Sequence, residues 1–235
     1  MRKLFYINAI FLLGLPLLLS AQPRFEAGAM LGLANYQGDL VEETVPLFKE
    51  GSLGGGIMGR YVFTYALAVR ANLMLGKITG DDYNYDNEFR RRRGAQFSSS
   101  IFELSVVGEW EPLGQWRYLS RGAGFKKLIS PYVFAGLGFT FTNPKTDFSR
   151  ADFDDVKLAA MIERDQNARY FKTRISTPIG FGVKFDLSEY WVAGVEFGMR
   201  YPFTDYLDGV SLSGNPDKKD WYQFSGITLC KRFRD

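Results

Sequence analysis

Seven charged residues occur at alternating positions within otherwise apolar segments of the chain. They are Arg60, Arg70, Lys184, Arg200, Glu103, Glu109 and Glu196. Side chains two residues apart in a β-strand lie on the same face, so these residues are expected to share the polar face of a sheet. Buried charges destabilise a protein unless they are paired, and the set contains both signs. We therefore predict a network of ion pairs, with a pore or proton path along the same face as the alternative.

Catalytic chemistry is restricted by the residue types that the chain lacks. No histidine is present, which excludes Ser-His-Asp and Cys-His catalysis and histidine-containing zinc sites. Cys230 is the single cysteine, so an internal disulfide is excluded, and its apolar surroundings indicate a buried or lipid-facing thiol. The net charge of +3 is too small to indicate nucleic-acid binding. We expect neither an enzyme nor a cofactor or metal site.

Four consecutive arginines, Arg90, Arg91, Arg92 and Arg93, form the most concentrated positive charge in the sequence. Guanidinium groups bind phosphate in a bidentate manner, so the phosphates of lipopolysaccharide are candidate ligands. The simpler interpretation is a solvated charge run. Just before the arginines, Asp82, Asn84, Asp86 and Glu88 alternate as in a calcium loop, but the central glycine of such loops is missing.

A second basic segment combines positive charge with aromatic residues. It contains Trp116, Arg117, Tyr118, Arg121, Lys126 and Lys127. Aromatic and arginine side chains dominate the binding energy of protein interfaces, so this segment is a candidate docking surface for partner proteins. The same residue types also lie on lipid headgroups, and contact with lipid is the alternative.

The elements that position these residues are predicted strands of about ten residues with alternating hydrophobicity. They cover 25–36, 53–63, 66–78, 97–111, 132–142, 177–186, 190–201 and 221–233. The even number allows an antiparallel up-and-down β-barrel that closes without an exposed edge. A barrel of eight strands is narrow, and its interior is normally filled by side chains.

Alternation alone does not distinguish a barrel with an apolar exterior from a soluble lipocalin-like or sandwich domain. Aromatic residues near the predicted strand ends favour a transmembrane barrel, because such residues form girdles at the two membrane surfaces. They include Tyr61, Phe63, Trp110, Phe141, Phe185, Trp191, Tyr201 and Trp221. Long and short connections alternate, as in bacterial outer-membrane barrels, which places both termini in the periplasm; the long connection 112–130 is the exception.

Residues 1–21 have the order of a secretory signal. Arg2 and Lys3 precede a nearly continuous apolar stretch over 4–19, and Ser20 and Ala21 are small. We predict cleavage after Ala21, with an uncleaved anchor as the alternative. The mature region, 22–235, would then form one barrel in the outer membrane of a Gram-negative-type envelope, because it contains no later apolar stretch of membrane-helix length.

Five short segments of the chain form a recognisable series: NYQGDL (35–40), ITGDD (78–82), PYVFAGLG (131–138), NP (143–144) and FTDYLDGVS (203–211). In sequence and in order they resemble the PorG-like outer-membrane proteins of the type IX secretion system. The segment 145–174 departs from the family pattern. The resemblance implies a non-enzymatic barrel that anchors the secretion machinery and docks a periplasmic ring containing lipoproteins. The alternatives are a stand-alone barrel that stabilises the envelope or binds lipopolysaccharide, and a small-solute porin.

Overall fold

The computed structural model describes residues 24–41, 50–114, 128–215, 217 and 219–233. Within these residues eight antiparallel strands form a closed barrel in chain order, and the last strand pairs with the first from Phe25↔Phe233 to Gln37↔Trp221. The strands are β1 (Arg24–Gln37), β2 (Ser52–Val62), β3 (Leu67–Asp81), β4 (Gln96–Trp110), β5 (Ile129–Asp147), β6 (Thr173–Asp186), β7 (Trp191–Thr204) and β8 (Asp220–Phe233). The predicted eight-stranded antiparallel barrel is confirmed.

Strands β5 and β6 extend furthest beyond the limits that the alternation predicted. Strand β5 continues to Asp147 although it contains Pro144, and β6 begins at Thr173 rather than at residue 177. The amide of Thr142 donates to the carbonyl of Lys172, directly before β6 begins. The nitrogen of Pro144, two residues beyond Thr142, also points to the side of β6. Strand β6 does not extend that far, so the missing N–H removes no hydrogen bond between the strands.

The exterior of the barrel is apolar and the interior is polar at both ends. Strand β4 alternates strictly over its whole length, with Phe102, Leu104, Val106 and Trp110 exposed on the outside. The middle of the lumen contains a cluster of buried apolar side chains that includes Met30, Met58, Met74, Ile101 and Phe224. The large side chains therefore fill the central cross-section, as expected for a barrel of this size.

Close approach explains two inward-facing glycines. Gly54 and Gly76 are directly paired between β2 and β3, and the ring of Phe224 lies over both of them. A Cβ atom added at either position would lie 2.7–2.8 Å from that ring. The two glycines thus provide the space that Phe224 occupies at the centre of the lumen.

The connections differ at the two ends of the barrel. The end with the short connections 63–66 and 187–190 is called the turn end, and β1 begins and β8 finishes there. The loop end carries the longer connections 38–51, 82–95, 148–172 and 205–219. The connection 111–128, which is also at the turn end, is the long exception that the sequence predicted.

Within the described residues, the loop end contains two α-helices, α1 (Glu88–Arg93) and α2 (Val156–Asn167), and a short 3-10 helix (Asp82–Asn84). Asn87 caps the start of α1 by accepting from the amide of Arg90, and Gly94 ends it in a left-handed conformation. Asp155 caps α2, whose Leu158 and Ile162 are buried against the apolar cluster. Of the helices within the described residues, none has the length and apolar character needed to cross a membrane.

Candidate functional site

The turn half of the lumen contains a network of charged side chains, called the lumen network. Glu109 lies at its centre and contacts three cations. Its carboxylate oxygens lie 2.8 Å from Arg60 Nε, 3.1 Å from Arg70 Nη1 and 2.8 Å from Lys184 Nζ. These residues come from β2, β3, β4 and β6, so a single carboxylate joins four strands.

The network also connects opposite walls of the barrel. Arg70 on β3 donates two hydrogen bonds to Glu196 on β7, and its guanidinium lies 4.9 Å from the centre of the Phe134 ring. Tyr132 donates to the same glutamate at 2.6 Å. Strands β3 and β7 are four positions apart in an eight-stranded barrel, so the Arg70–Glu196 pair spans the lumen. The side chains themselves therefore occupy the path that a solute would take.

A second branch of the network lies nearer the centre of the barrel. Glu103 accepts from Arg200 at 3.1 Å and from Tyr222 at 2.7 Å, and these residues again come from different walls. The hydroxyl of Tyr222 also lies 2.6 Å from that of Thr140. All seven charged residues that the sequence analysis singled out are thus inside the lumen and in ion pairs with one another or with other inward residues.

The sequence analysis missed four members of the network. Arg232 on β8 lies 2.9 Å from Glu26 on β1 and also contacts Asp186 on β6. Glu26 is an even number of residues from the inward-facing Met30 in β1, so it faces inward as well. In β8, Arg232 is related in the same way to the inward-facing Cys230 and Thr228. Inward parity in the first and last strands is the signal that could have identified them. Glu111, at the turn end, completes the network through Lys184 at 3.0 Å.

The charges of the lumen network are nearly balanced. Its five cations are Arg60, Arg70, Lys184, Arg200 and Arg232, and its six carboxylates are Glu26, Glu103, Glu109, Glu111, Asp186 and Glu196. All are buried, and every cation lies within ion-pair distance of at least one carboxylate. Removing one partner from such a network leaves an uncompensated buried charge, which typically destabilises a protein by about 3–5 kcal/mol.

The loop end is closed by a different arrangement, called the loop-end cluster, which consists of Tyr36, Asp39, Asp208 and Asp220. The Tyr36 hydroxyl lies 2.7 Å from an Asp208 oxygen and 2.8 Å from an Asp220 oxygen, and it accepts from the amide of Asp39 at 2.8 Å. The single proton of the Tyr36 hydroxyl can be donated to only one of the two aspartates. A second proton, held on the other carboxyl group, would let that group donate to the hydroxyl oxygen. Burial raises the pKa of Asp208 to about 8, in agreement with this arrangement.

Loop residues hold the loop-end cluster in place. Asp208 also accepts from the amide of Val210, and Asp220 accepts from that of Leu207. Asp165 on α2 accepts from the amide and the hydroxyl of Ser213, which fastens the helix to the 205–219 loop. The FTDYLDGVS segment therefore belongs to the closure of the loop end.

The four arginines of α1 do not form one exposed set. Arg93 is 1% exposed, and its guanidinium makes a bidentate pair with Asp82 at 2.7 and 2.8 Å. Arg93 must therefore be removed from the predicted phosphate-binding set, because its donors are already bound inside the protein. Arg92 contacts Asp152 and Asp155, while the partly buried Arg90 lies over the ring of Tyr85 and Arg91 is exposed and pairs with Asp86.

The oxygen-bearing residues before α1 are likewise engaged with protein groups. Asp82 binds Arg93 and the amide of Ala95, Asn84 donates to Glu50, and Asp86 pairs with Arg91. The described part of the chain contains no group of three or more acidic or cysteine side chains placed to hold a metal ion. Calcium binding by this segment is therefore not supported by its geometry.

Two predicted regions lie outside the described residues. They are the signal segment 1–21 and the basic segment with Trp116, Arg117, Tyr118, Arg121, Lys126 and Lys127. Both remain predictions from the sequence. The described chain resumes at residue 128, directly before β5 at the turn end, so the basic segment is connected to that end of the barrel.

One protein family matches the chain over nearly its whole length. Residues 2–235 match the family described as "Domain of unknown function (DUF6089)". The chain belongs to this family. None of the curated proteins matches the chain in sequence. The family match covers nearly the whole sequence and includes all eight strands of the barrel.

Several solved structures of outer-membrane proteins resemble the barrel in general shape. OprG from Pseudomonas aeruginosa has a TM-score of 0.49 and 9% identity, over 90% of this chain and 96% of that chain. Ail from Yersinia pestis, in complex with the heparin analogue sucrose octasulfate, has a TM-score of 0.44 and 10% identity, over 91% and 100%. A major outer-membrane protein from Thermus thermophilus has a TM-score of 0.45 and 13% identity, over 91% and 100%. The fold assignment itself rests on the strand pairing of this chain.

Proposed function

We propose that this protein is an outer-membrane barrel with a structural rather than a conducting or enzymatic role. The observation that carries the proposal is the lumen network, which joins opposite walls inside a barrel with an apolar exterior. Large apolar side chains on the outside, such as Leu31, Leu53, Leu137 and Ile227, are more than half exposed, as lipid contact would require. A lumen filled in this way supports a rigid scaffold and gives no support to a small-solute porin.

The finer proposal is that the barrel anchors the type IX protein secretion machinery and docks a periplasmic ring that contains lipoproteins. Its support is the resemblance of five segments to the PorG-like proteins. The segment 203–211, the most specific of the five, closes the loop end, so it is not available as a docking surface. The basic segment 115–127 at the opposite end is the proposed contact with the ring, with both chain termini on the same, periplasmic side after removal of residues 1–21.

Extraction of the protein from outer membranes in mild detergent tests this role. We expect periplasmic lipoproteins to co-purify with the wild-type barrel and to be lost from a Trp116→Ala/Arg117→Ala variant. The matched control is Arg90→Ala/Arg91→Ala, which changes basic residues at the opposite end and should retain the partners. Wild-type barrel that is recovered without any periplasmic protein would contradict the secretion role.

A stand-alone envelope barrel that binds lipopolysaccharide is the second candidate function. The observation that favours it is the position of Arg90 and Arg91 in a loop-end helix, where guanidinium groups can bind phosphate. In the same extraction, this function predicts a barrel that retains lipopolysaccharide but no protein, and loss of that lipid from the Arg90→Ala/Arg91→Ala variant.

A further inference from the structure

The outer wall of the barrel changes from apolar to basic within one step along the strands. Leu75, Phe102 and Phe141 are paired neighbours on β3, β4 and β5, and all three face outward. The rings of Phe102 and Phe141 lie 5.5 Å apart, as in an aromatic girdle. Two residues further towards the loop end, the outward positions are Lys77, Ser100 and Asn143. A step of two residues is about 7 Å, so the lysine lies just beyond the apolar band.

The next outward row continues this polar surface. It consists of Thr79, Ser98 and Lys145, again as paired neighbours on the three strands. Lys172, directly before β6, donates to the side chain of Asn143 at 2.6 Å and so joins the same area. The two adjacent rows therefore combine three ammonium groups with hydroxyl and amide donors on one side of the barrel.

A cavity of about 400 Å³ adjoins these rows on the side of the loop end. Its lining includes Lys77, Thr79, Ser98 and Lys145, together with the acidic residues Glu50, Asp81 and Asp147. Among the described residues, neither Lys77 nor Lys145 is in an ion pair with a carboxylate. Each of the three acidic groups has a partner within the protein: Glu50 accepts from the side chain of Asn84, Asp81 pairs with Arg150 at 2.7 Å, and Asp147 accepts from the amide and hydroxyl of Ser149. The two ammonium groups are thus free to bind an anion from outside the protein.

We propose that this cavity binds the phosphate group of a membrane lipid, with the lipid chains lying along Leu75, Phe102 and Phe141. The inference rests on the proposed membrane-spanning barrel and adds a specific ligand site to it. A free phosphate ion shares the charge and the hydrogen-bond acceptors of the headgroup. The lipid is the better occupant, because the basic rows are continuous with an exposed apolar wall that a free ion would leave uncovered.

The test is native mass spectrometry of the folded, full-length barrel in detergent, titrated with phosphatidic acid or with phosphatidylcholine that carries the same chains. Each lysine near a membrane surface contributes about 1 kcal/mol to the binding of anionic lipid, so with two lysines we expect phosphatidic acid to bind roughly thirtyfold more tightly. The Lys77→Gln/Lys145→Gln variant should lose this preference, and Lys77→Arg/Lys145→Arg should keep it. The control Lys157→Gln/Arg164→Gln removes the same charge from exposed positions of α2 and should bind like the wild type.

Three results would overturn the inference. They are equal binding of the two lipids, an unchanged preference in the Lys77→Gln/Lys145→Gln variant, and full displacement of phosphatidic acid by an equal concentration of inorganic phosphate. A wild-type protein that does not insert into lipid bilayers would instead contradict the proposed function. The two failures are therefore distinguishable, because insertion is measured separately by the shift in gel mobility between folded and heated barrel.

Discussion

The two ends of the lumen stabilise the same barrel through different chemistry. In the lumen network, guanidinium and ammonium groups face carboxylates in nearly equal number, and Glu109 alone contacts three cations. In the loop-end cluster, Asp208 and Asp220 share the hydroxyl of Tyr36. In the turn half, ion pairs therefore offset the free-energy cost of burying charged groups. At the loop end, hydrogen bonds that share a proton between oxygen atoms offset that cost. The raised pKa of Asp208 makes the stability of the loop-end cluster dependent on pH.

Loss of the central carboxylate should produce the largest effect. The Glu109→Ala variant leaves Arg60, Arg70 and Lys184 buried with one partner fewer, so we expect a loss of about 3–5 kcal/mol in the free energy of unfolding. The measurement is urea unfolding of the barrel in lipid vesicles. Glu163→Ala on the exposed face of α2 is the matched control, with an expected change within about 0.5 kcal/mol. A similar small change in both variants would show that the network contributes little to stability.

Raising the pH should weaken the loop-end cluster selectively. Because burial raises the pKa of Asp208 to about 8 in the folded protein, well above its value in an unfolded chain, the stabilisation is complete below about pH 4. It is lost progressively as the pH rises towards 8, by an amount on the order of a few kcal/mol. After correction for the intrinsic exchange rates, hydrogen exchange of residues 205–215 should accordingly be faster at pH 9 than at pH 5, by at least about tenfold.

The isosteric variant Asp208→Asn sharpens this prediction. Its amide cannot ionise, so the exchange of the same segment should lose most of its pH dependence after correction for the intrinsic rates. An equal dependence in the variant and the wild type would assign the effect to another group.

The smallest effect is expected for an exposed ion pair of the loop end. Arg92 contacts Asp152 and Asp155, but its side chain is 47% exposed. Solvent screens such pairs, and Arg92→Ala should therefore change the free energy of unfolding by less than about 1 kcal/mol. Urea unfolding under the conditions used for Glu109→Ala gives the comparison. A loss as large as that of Glu109→Ala would remove the distinction between buried and exposed pairs on which the account depends.

The strand pattern was sufficient to predict the fold. Alternation in β4 and in β5 defines an apolar and a polar face, and an even number of strands allows closure. The limits of β5 and β6 could not be predicted in the same way. Pro144 is tolerated in β5 because β6 does not extend alongside it, and the sequence pattern does not show where β6 begins. The parity of each strand also indicates which charged side chains share a face.

Which charges contact each other could not be predicted from parity. The Arg70–Glu196 pair joins residues that are 126 positions apart on opposite walls, and its formation depends on the stagger of the whole barrel. The loop-end cluster was less accessible still, because the contact between Tyr36 and Asp208 requires a loop to fold back over the barrel mouth. A run such as Arg90 to Arg93 appears uniform in the sequence, yet only the helix geometry of α1 places Arg93 inside and Arg91 outside.

Ion conductance in planar lipid bilayers tests the central claim most directly, which is that side chains close the lumen of a membrane-spanning barrel. The purified protein, shown to be inserted by its gel-mobility shift, should produce no steady conductance above that of the bare bilayer at pH 7. Reproducible conductance steps that scale with the amount of inserted wild-type protein would contradict a closed lumen, and with it the proposed structural role.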